Sequence, residues 1–122
     1  MKIYLSHSSN FDYETELYAP LKASQVAKKH QIFFPHDPEN NGQKSKDIIR
    51  TSDLVIAEVS YPATGEGIEL GWADAYETPI LCLYSSGSKI SSSLKFISKD
   101  FIEYAGQADM LRKLEDWLAT KE

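Results

Sequence analysis

The sequence predicts an α/β fold, a doubly wound three-layer sandwich with a five-stranded parallel sheet between two layers of helices. Three observations predict it. Short β-branched or aromatic runs alternate with segments of helical spacing, which implies right-handed parallel crossovers and a sheet covered on both faces. The run Leu54 to Val59 is apolar except for Glu58 and β-branched at Val55, Ile56 and Val59, as suits a strand buried on both sides. Finally, 122 residues are enough for one domain with one core.

Each element has its own justification. Lys2 to Leu5 reads as the first strand, followed by a polar loop from Ser6 to Asn10. Asp12 to Lys29 carries Leu17, Leu21, Ala23, Val26 and Ala27 at helical spacing. Pro20 inside that pattern costs a helix about 3 kcal/mol, so a kink or two segments are expected near Tyr18 to Pro20. Gln31 to Phe34 is the second strand, ended by Pro35, and the turn formers from Pro35 to Gly42 make a loop. A short helix follows over Ser45 to Thr51, then the central strand, stopped by Tyr61-Pro62. Ile68, Trp72 and Ala75 recur at helical spacing, so a helix begins between Thr64 and Gly67 and places Glu69 in its first turn. Pro79 to Tyr84 is the fourth strand, Ser85 to Ser88 a loop, and Ile90 to Ile97 a short helix. Phe101 to Tyr104 is the fifth strand. The closing helix, Ala108 to Thr120, presents Met110, Leu111, Leu114, Trp117 and Leu118 on one face. Five strands in this length suit a flavodoxin/Rossmann-like sheet of order 2-1-3-4-5. Ligands in such sheets sit beyond the strand C-termini at the switch point, here the loops Ser6 to Asn10, Pro35 to Asp37 and Glu58 to Gly67.

Composition narrows the function classes. Apolar residues make up 42% and charged residues 25%, ordinary for a globular chain. A net charge of −5 argues against nucleic acid as a partner. No apolar run is long enough to span a membrane, and the start Met1-Lys2-Ile3-Tyr4 has no signal-peptide layout, so a cytoplasmic location is expected. The one cysteine, Cys82, sits in a strand pattern and reads as a buried thiol, and no metal cluster or cofactor is expected.

The stretch Ser52 to Ala73 carries the chemistry. Gly65 and Gly67 let the backbone bend sharply and approach a ligand closely. A helix N-terminus favours the ionised form of a carboxyl group placed there. Glu69 could therefore attack an electrophilic carbon or stabilise a cation in the cleft, or merely complement the helix dipole. The wording Asp-Leu-Val-Ile-Ala-Glu-Val-Ser-x-Pro-x-x-Gly-x-Gly-x-Glu-Leu-Gly-x-Ala, from Asp53 to Ala73, resembles the nucleoside 2-deoxyribosyltransferase superfamily, most of all its small 2′-deoxynucleoside 5′-phosphate N-hydrolases. The resemblance implies one domain over residues 1–122, with Glu69 as the nucleophile at the sugar C1′. It implies a small-molecule nucleoside or nucleotide as partner, and a homodimer or higher homo-oligomer whose neighbours share sites.

Other positions follow from the same resemblance. Tyr4 matches a family tyrosine on the first strand that contacts the site, and is otherwise a core residue. The family's second carboxylate, an Asp, falls on Ser45 here; Asp47 lies two residues late, and Asp37 on the loop after the second strand could substitute. His36 is a candidate acid or base. For a 5′-phosphate, the family's loop serine is replaced by Ala63, beside Pro62 and Ser60, while Ser92 and Lys89 match phosphate contacts lent by a neighbouring subunit. Ser6, His7, Ser8 and Ser9 on the first loop could hydrogen-bond a sugar or phosphate, whereas the charge of Glu66 would oppose a phosphate. Two other readings remain open. The opening Lys2 to Ser9 also resembles the start of a TIR domain, some of which cleave NAD at its N-glycosidic bond, and a chain without the family Asp could bind a nucleotide without turning it over.

Overall fold

The computed structural model describes residues 1–122. Strand β1 (Lys2–His7) is followed by a π-helical turn (Glu14–Tyr18), α1 (Ala19–Lys22), α2 (Gln25–Lys29) and β2 (Gln31–Phe33). Then come α3 (Ser45–Arg50), β3 (Leu54–Glu58), α4 (Thr64–Ala75), β4 (Ile80–Ser85), β5 (Asp100–Tyr104) and α5 (Gln107–Ala119). All strand pairs are parallel, and the sheet order is β2-β1-β3-β4-β5, as the sequence predicts.

Alternation along each strand builds two cores. Ile3, Leu5, Leu54, Ile56, Leu81 and Leu83 face one side, where Leu17, Leu21, Val26 and the Met110, Leu114 and Leu118 stripe of α5 cover them. Tyr4, Val55, Ala57, Ile80 and Cys82 face the other, under Ile49 of α3 and Leu70 and Ala73 of α4. Burial pushes the Cys82 thiol up to about 11, which leaves it inert.

Several boundaries differ from the sequence expectation. β1 runs on through Ser6 and His7, because both pair with β3 opposite Ala57 and Glu58. The first helical region is divided twice. The π-turn gives way to α1 at Tyr18–Ala19, with Pro20 in the first turn of α1, where a missing N–H costs nothing. The second break is at Ser24, whose hydroxyl donates to Leu21 O at 2.7 Å. The segment after β4 is a 3-10 turn over Ser92–Phe96. No helix is long and apolar enough to cross a membrane.

Candidate active site

β1 and β3 pair in parallel, and α4 crosses the sheet face on which Tyr4 and Ser6 lie. Positions two apart on a strand share a face, so the hydroxyls of Tyr4 and Ser6 both point toward α4. There they meet one carboxylate. Tyr4 donates to Glu69 Oε2, and Ser6 Oγ donates to Glu69 Oε1 at 2.8 Å. Ser45 Oγ lies 2.8 Å from the Tyr4 hydroxyl, on the first residue of α3. A phenol has one proton, and Glu69 takes it, so Ser45 is the donor in that pair. Burial and the adjacent Glu69 charge hold the Tyr4 phenol far above its ordinary range, so it stays protonated and keeps donating. Phe33 of β2 stacks on the Tyr4 ring at 5.6 Å between centroids.

The orientation of Glu69 is therefore a product of β1, not of the helix dipole. α4 starts at Thr64, which puts Glu69 in the second turn and Glu66 in the first. This corrects the sequence expectation, and the reason is that Thr64 and both glycines are already helical. Gly65 and Gly67 do not bend the chain: neither has a positive φ, and a Cβ on either would meet nothing within 4 Å. The turn is made by Ser60 to Ala63 instead.

A second group of side chains lies on the other face of β1. His7 is buried, and its Nδ1–H donates to Ser8 O at 2.8 Å. Its Nε2 then accepts from the Tyr18 hydroxyl at 2.7 Å, and that hydroxyl oxygen accepts from the His36 backbone N–H at 3.1 Å. Burial drives the His7 imidazole down to about 4, so it is neutral and acts as a fixed acceptor. His36, Tyr13 and Phe11 pack on the His7 ring, and Tyr61, 40% exposed, stacks on Phe11 at 4.8 Å. This chain of contacts leaves aromatic faces open to solvent beside the strand ends.

The remaining candidates separate. Ser8 is buried and its Oγ accepts from Asn10 N–H at 2.9 Å, closing the loop. Asp37 is ion-paired with Lys22 at 2.7 Å, and Asp47 is exposed on α3 with no hydrogen bond to the site. Ser60 is buried: its N–H and Oγ donate to Glu58 at 2.7 and 2.9 Å. Tyr104 also donates to Glu58, whose carboxyl is raised by burial despite these bonds. Pro62, Ala63 and Gly67 line a cavity beside the α4 N-terminus with Glu66, Ser91 and Ser93, while Ser92 and Lys89 are exposed outside its lining. Sequence reasoning finds Tyr4, Ser6 and Glu69 but treats Ser45 only as a missing carboxylate. No local signal marks Ser45 as a partner of Tyr4, since they are far apart in the chain.

No family model matches the chain. The chain is 33% identical over 98 residues to the 5-hydroxymethyl-dUMP N-hydrolase of Tetraodon nigroviridis, covering 73% of this chain and 62% of that one. It is 39% identical over 64 residues to the protein of the same name from Branchiostoma floridae, covering 45% of this chain and 61% of that one. The chain thus spans about three fifths of the length of these curated relatives. Among solved structures, the Clostridium botulinum CMP N-glycosidase superposes with a TM-score of 0.70 at 21% identity, over 94% of this chain and 99% of that one. The 2-deoxyribosyltransferase of Bacillus psychrosaccharolyticus superposes with a TM-score of 0.61 at 23% identity, over 90% of each chain, so these two share the fold. The chain is thus similar in sequence to these N-hydrolases and shares its fold with the glycosidase and the transferase.

Proposed function

We propose that the chain is an enzyme that cleaves the N-glycosidic bond of a 2′-deoxynucleoside or its 5′-monophosphate, with Glu69 as the nucleophile at C1′. The observation that carries this reading is the Glu69 carboxylate gripped by two hydroxyls, Tyr4 on Oε2 and Ser6 on Oε1. Two donors fix its rotation, so an oxygen is presented to the sugar without a search through rotamers. As the C1′–N bond breaks, its electron pair leaves with the base, and Glu69 offsets the developing cationic charge or bonds to C1′. When water or a second base attacks C1′ in the next step, the C1′–O bond breaks and its electron pair returns to Glu69, whose oxygens again accept from Tyr4 and Ser6. Hydrolysis and transfer differ only in that last acceptor.

The half-open aromatic faces of Phe11, Tyr13 and Tyr61 suit a planar base, and His36 beside them is placed to protonate it as it departs. The relatives' names point the same way, since they are hydrolases of nucleoside monophosphates or transferases of deoxyribose. We place the chain in the cytoplasm as a homodimer or larger homo-oligomer, in which exposed Lys89 and Ser92 reach a neighbour's site. The test is free-base release from 2′-deoxynucleosides, their 5′-monophosphates, ribonucleosides and NAD, measured by chromatography for wild type and Glu69→Gln. Release by wild type alone is expected. Equal release by both proteins, or none by either when folded, would overturn the reading, and release from NAD alone would move it to the TIR-like alternative.

A further inference from the structure

The two oxygens of the Glu69 carboxylate are held by unequal donors. Oε2 accepts from Tyr4, whose own oxygen accepts from Ser45 at 2.8 Å. Each hydroxyl in that series polarises the next, which strengthens the bond that reaches Oε2. The Tyr4 ring cannot swing away, because it is fully buried and stacked on Phe33. Oε1 accepts from Ser6 Oγ at 2.8 Å. No second hydroxyl stands behind Ser6, so its bond is not polarised in this way. A serine hydroxyl is also a free rotor, and one rotation releases Oε1. Ser6 is itself fully buried, so the Glu69 carboxylate takes the place of water as the partner of its hydroxyl.

The inequality separates the two oxygens chemically. An oxygen that bonds to C1′ uses a lone pair and turns toward the sugar. For Oε2 that means weakening the polarised bond from Tyr4; for Oε1 it means weakening only the bond from Ser6. In the ester that results, the oxygens differ again. Oε2 becomes the carbonyl oxygen, a good acceptor that keeps the Tyr4 hydrogen. Oε1 becomes the bridging oxygen, whose remaining lone pair is delocalised into the carbonyl and accepts poorly. The Tyr4 bond thus persists in both states, whereas the Ser6 bond has its full strength only in the free carboxylate. A hydrogen bond to an ionised acceptor is about twice as strong as one between neutral groups. A donor on Oε1 therefore assists the step in which Oε1 regains its charge and opposes the step in which it loses it.

We propose that Oε1 is the oxygen that attacks C1′, and that Ser6 is a catalytic residue of the second step, the release of the sugar from Glu69. This rests on the function proposed above and adds a division of labour between the two donors. In the first step the Oε1 lone pair forms the O–C1′ bond, the C1′–N bond breaks, and its electron pair leaves with the base. In the second, a lone pair of water forms a new bond to C1′. The Oε1–C1′ bond breaks and its electron pair returns to Oε1, where the Ser6 hydroxyl donates to the charge as it develops. The proton lost by the water balances the proton taken up by the base, and Ser6 keeps its own proton throughout. Tyr4 holds the carboxyl group in place during both steps. A site with Tyr4 and without the Ser6 hydroxyl forms the ester and is slow to break it.

The test is the time course of base release, by rapid quench and chromatography, together with intact-protein mass. It compares wild type, Ser6→Ala, Ser6→Cys and Tyr4→Phe, each checked for folding by circular dichroism. The probes are the common 2′-deoxynucleosides and their 5′-monophosphates. Ser6→Ala should release its first base at least as fast as wild type and then turn over more slowly. Its ratio of first-turnover rate to steady rate should exceed that of wild type at least about tenfold, the effect of one hydrogen bond to a charged group. Its mass during turnover should include one bound sugar unit. Ser6→Cys, whose thiol is a weak donor, should fall between the two. Tyr4→Phe should slow the first turnover and leave the ratio near that of wild type. An unchanged ratio in Ser6→Ala, or a ratio raised as much in Tyr4→Phe, would overturn the assignment. Wild type that releases no base from any probe would sink the proposed activity, and this assignment with it. Base release by wild type with an unchanged ratio in Ser6→Ala would sink this assignment alone.

Discussion

At the scale of single residues, one proton organises the candidate site. The Tyr4 hydroxyl cannot serve two acceptors, so Ser45, Tyr4 and Glu69 form a directed series in which each hydroxyl donates toward the carboxylate. Replacing Glu69 by Gln removes the nucleophile and keeps one accepting oxygen, while the amide NH2 can only donate to a hydroxyl oxygen. Base release should fall by at least about 10³-fold with little change in melting temperature, measured by chromatography and circular dichroism. Tyr4→Phe leaves the ring stacked on Phe33 and frees Oε2 of Glu69 to rotate. It should lower kcat roughly 10- to 100-fold and leave KM nearly unchanged, which steady-state kinetics would reveal; an effect on KM alone would assign Tyr4 to ground-state binding.

At the scale of the element, α4 joins the candidate nucleophile to a cavity at its own N-terminus. It presents Glu69 to β1 and opens its N-terminus on the cavity that contains Glu66. Two of its glycines separate helix propensity from ligand room. Gly65 and Gly67 are helical, have no positive φ and have open space where a methyl group would stand, but only Gly67 lines the cavity. Gly65→Ala and Gly67→Ala should each raise stability by about 0.4–1 kcal/mol, read in thermal melts. Only Gly67→Ala should also narrow the cavity, because its methyl group enters it. Ala63→Ser would cap the helix, with an expected gain of about 1 kcal/mol.

At the scale of the whole molecule, buried titratable groups set the pH range of stability. Glu66 has a folded value raised from 4.5 to about 9, so the folded state holds a proton that the unfolded state has lost between those values. Stability therefore falls as pH rises through that window. His7 works in the opposite sense: its folded value is lowered from 6.5 to about 4, so the unfolded state gains a proton first as pH falls below 6.5. Below pH 6.5 the two slopes oppose each other, and above it only Glu66 remains. Wild-type stability in urea should thus decline from pH 6.5 to 9, by up to about 1.4 kcal/mol per unit, and Glu66→Gln should flatten the decline. An unchanged slope in the variant would assign the decline to other groups.

How much was legible in the chain differs between levels. Periodicity and turn residues determined the five strands and their parallel order, because these depend on local propensity and on the handedness of crossovers. The motif around Glu69 marked the candidate nucleophile, and Tyr4 and Ser6 stood on the strand expected beside it. What surrounds those side chains was decided by the tertiary structure. Asp37 turned to Lys22, Ser45 turned to Tyr4, and the helix began early enough to move its dipole from Glu69 to Glu66. The sequence showed Glu66 as a charge; burial beside Glu58 and Glu69 made it a neutral acid. Ionisation and hydrogen-bond partners depend on dielectric and on neighbours distant in the chain, and neither exists until the sheet and its helices have packed.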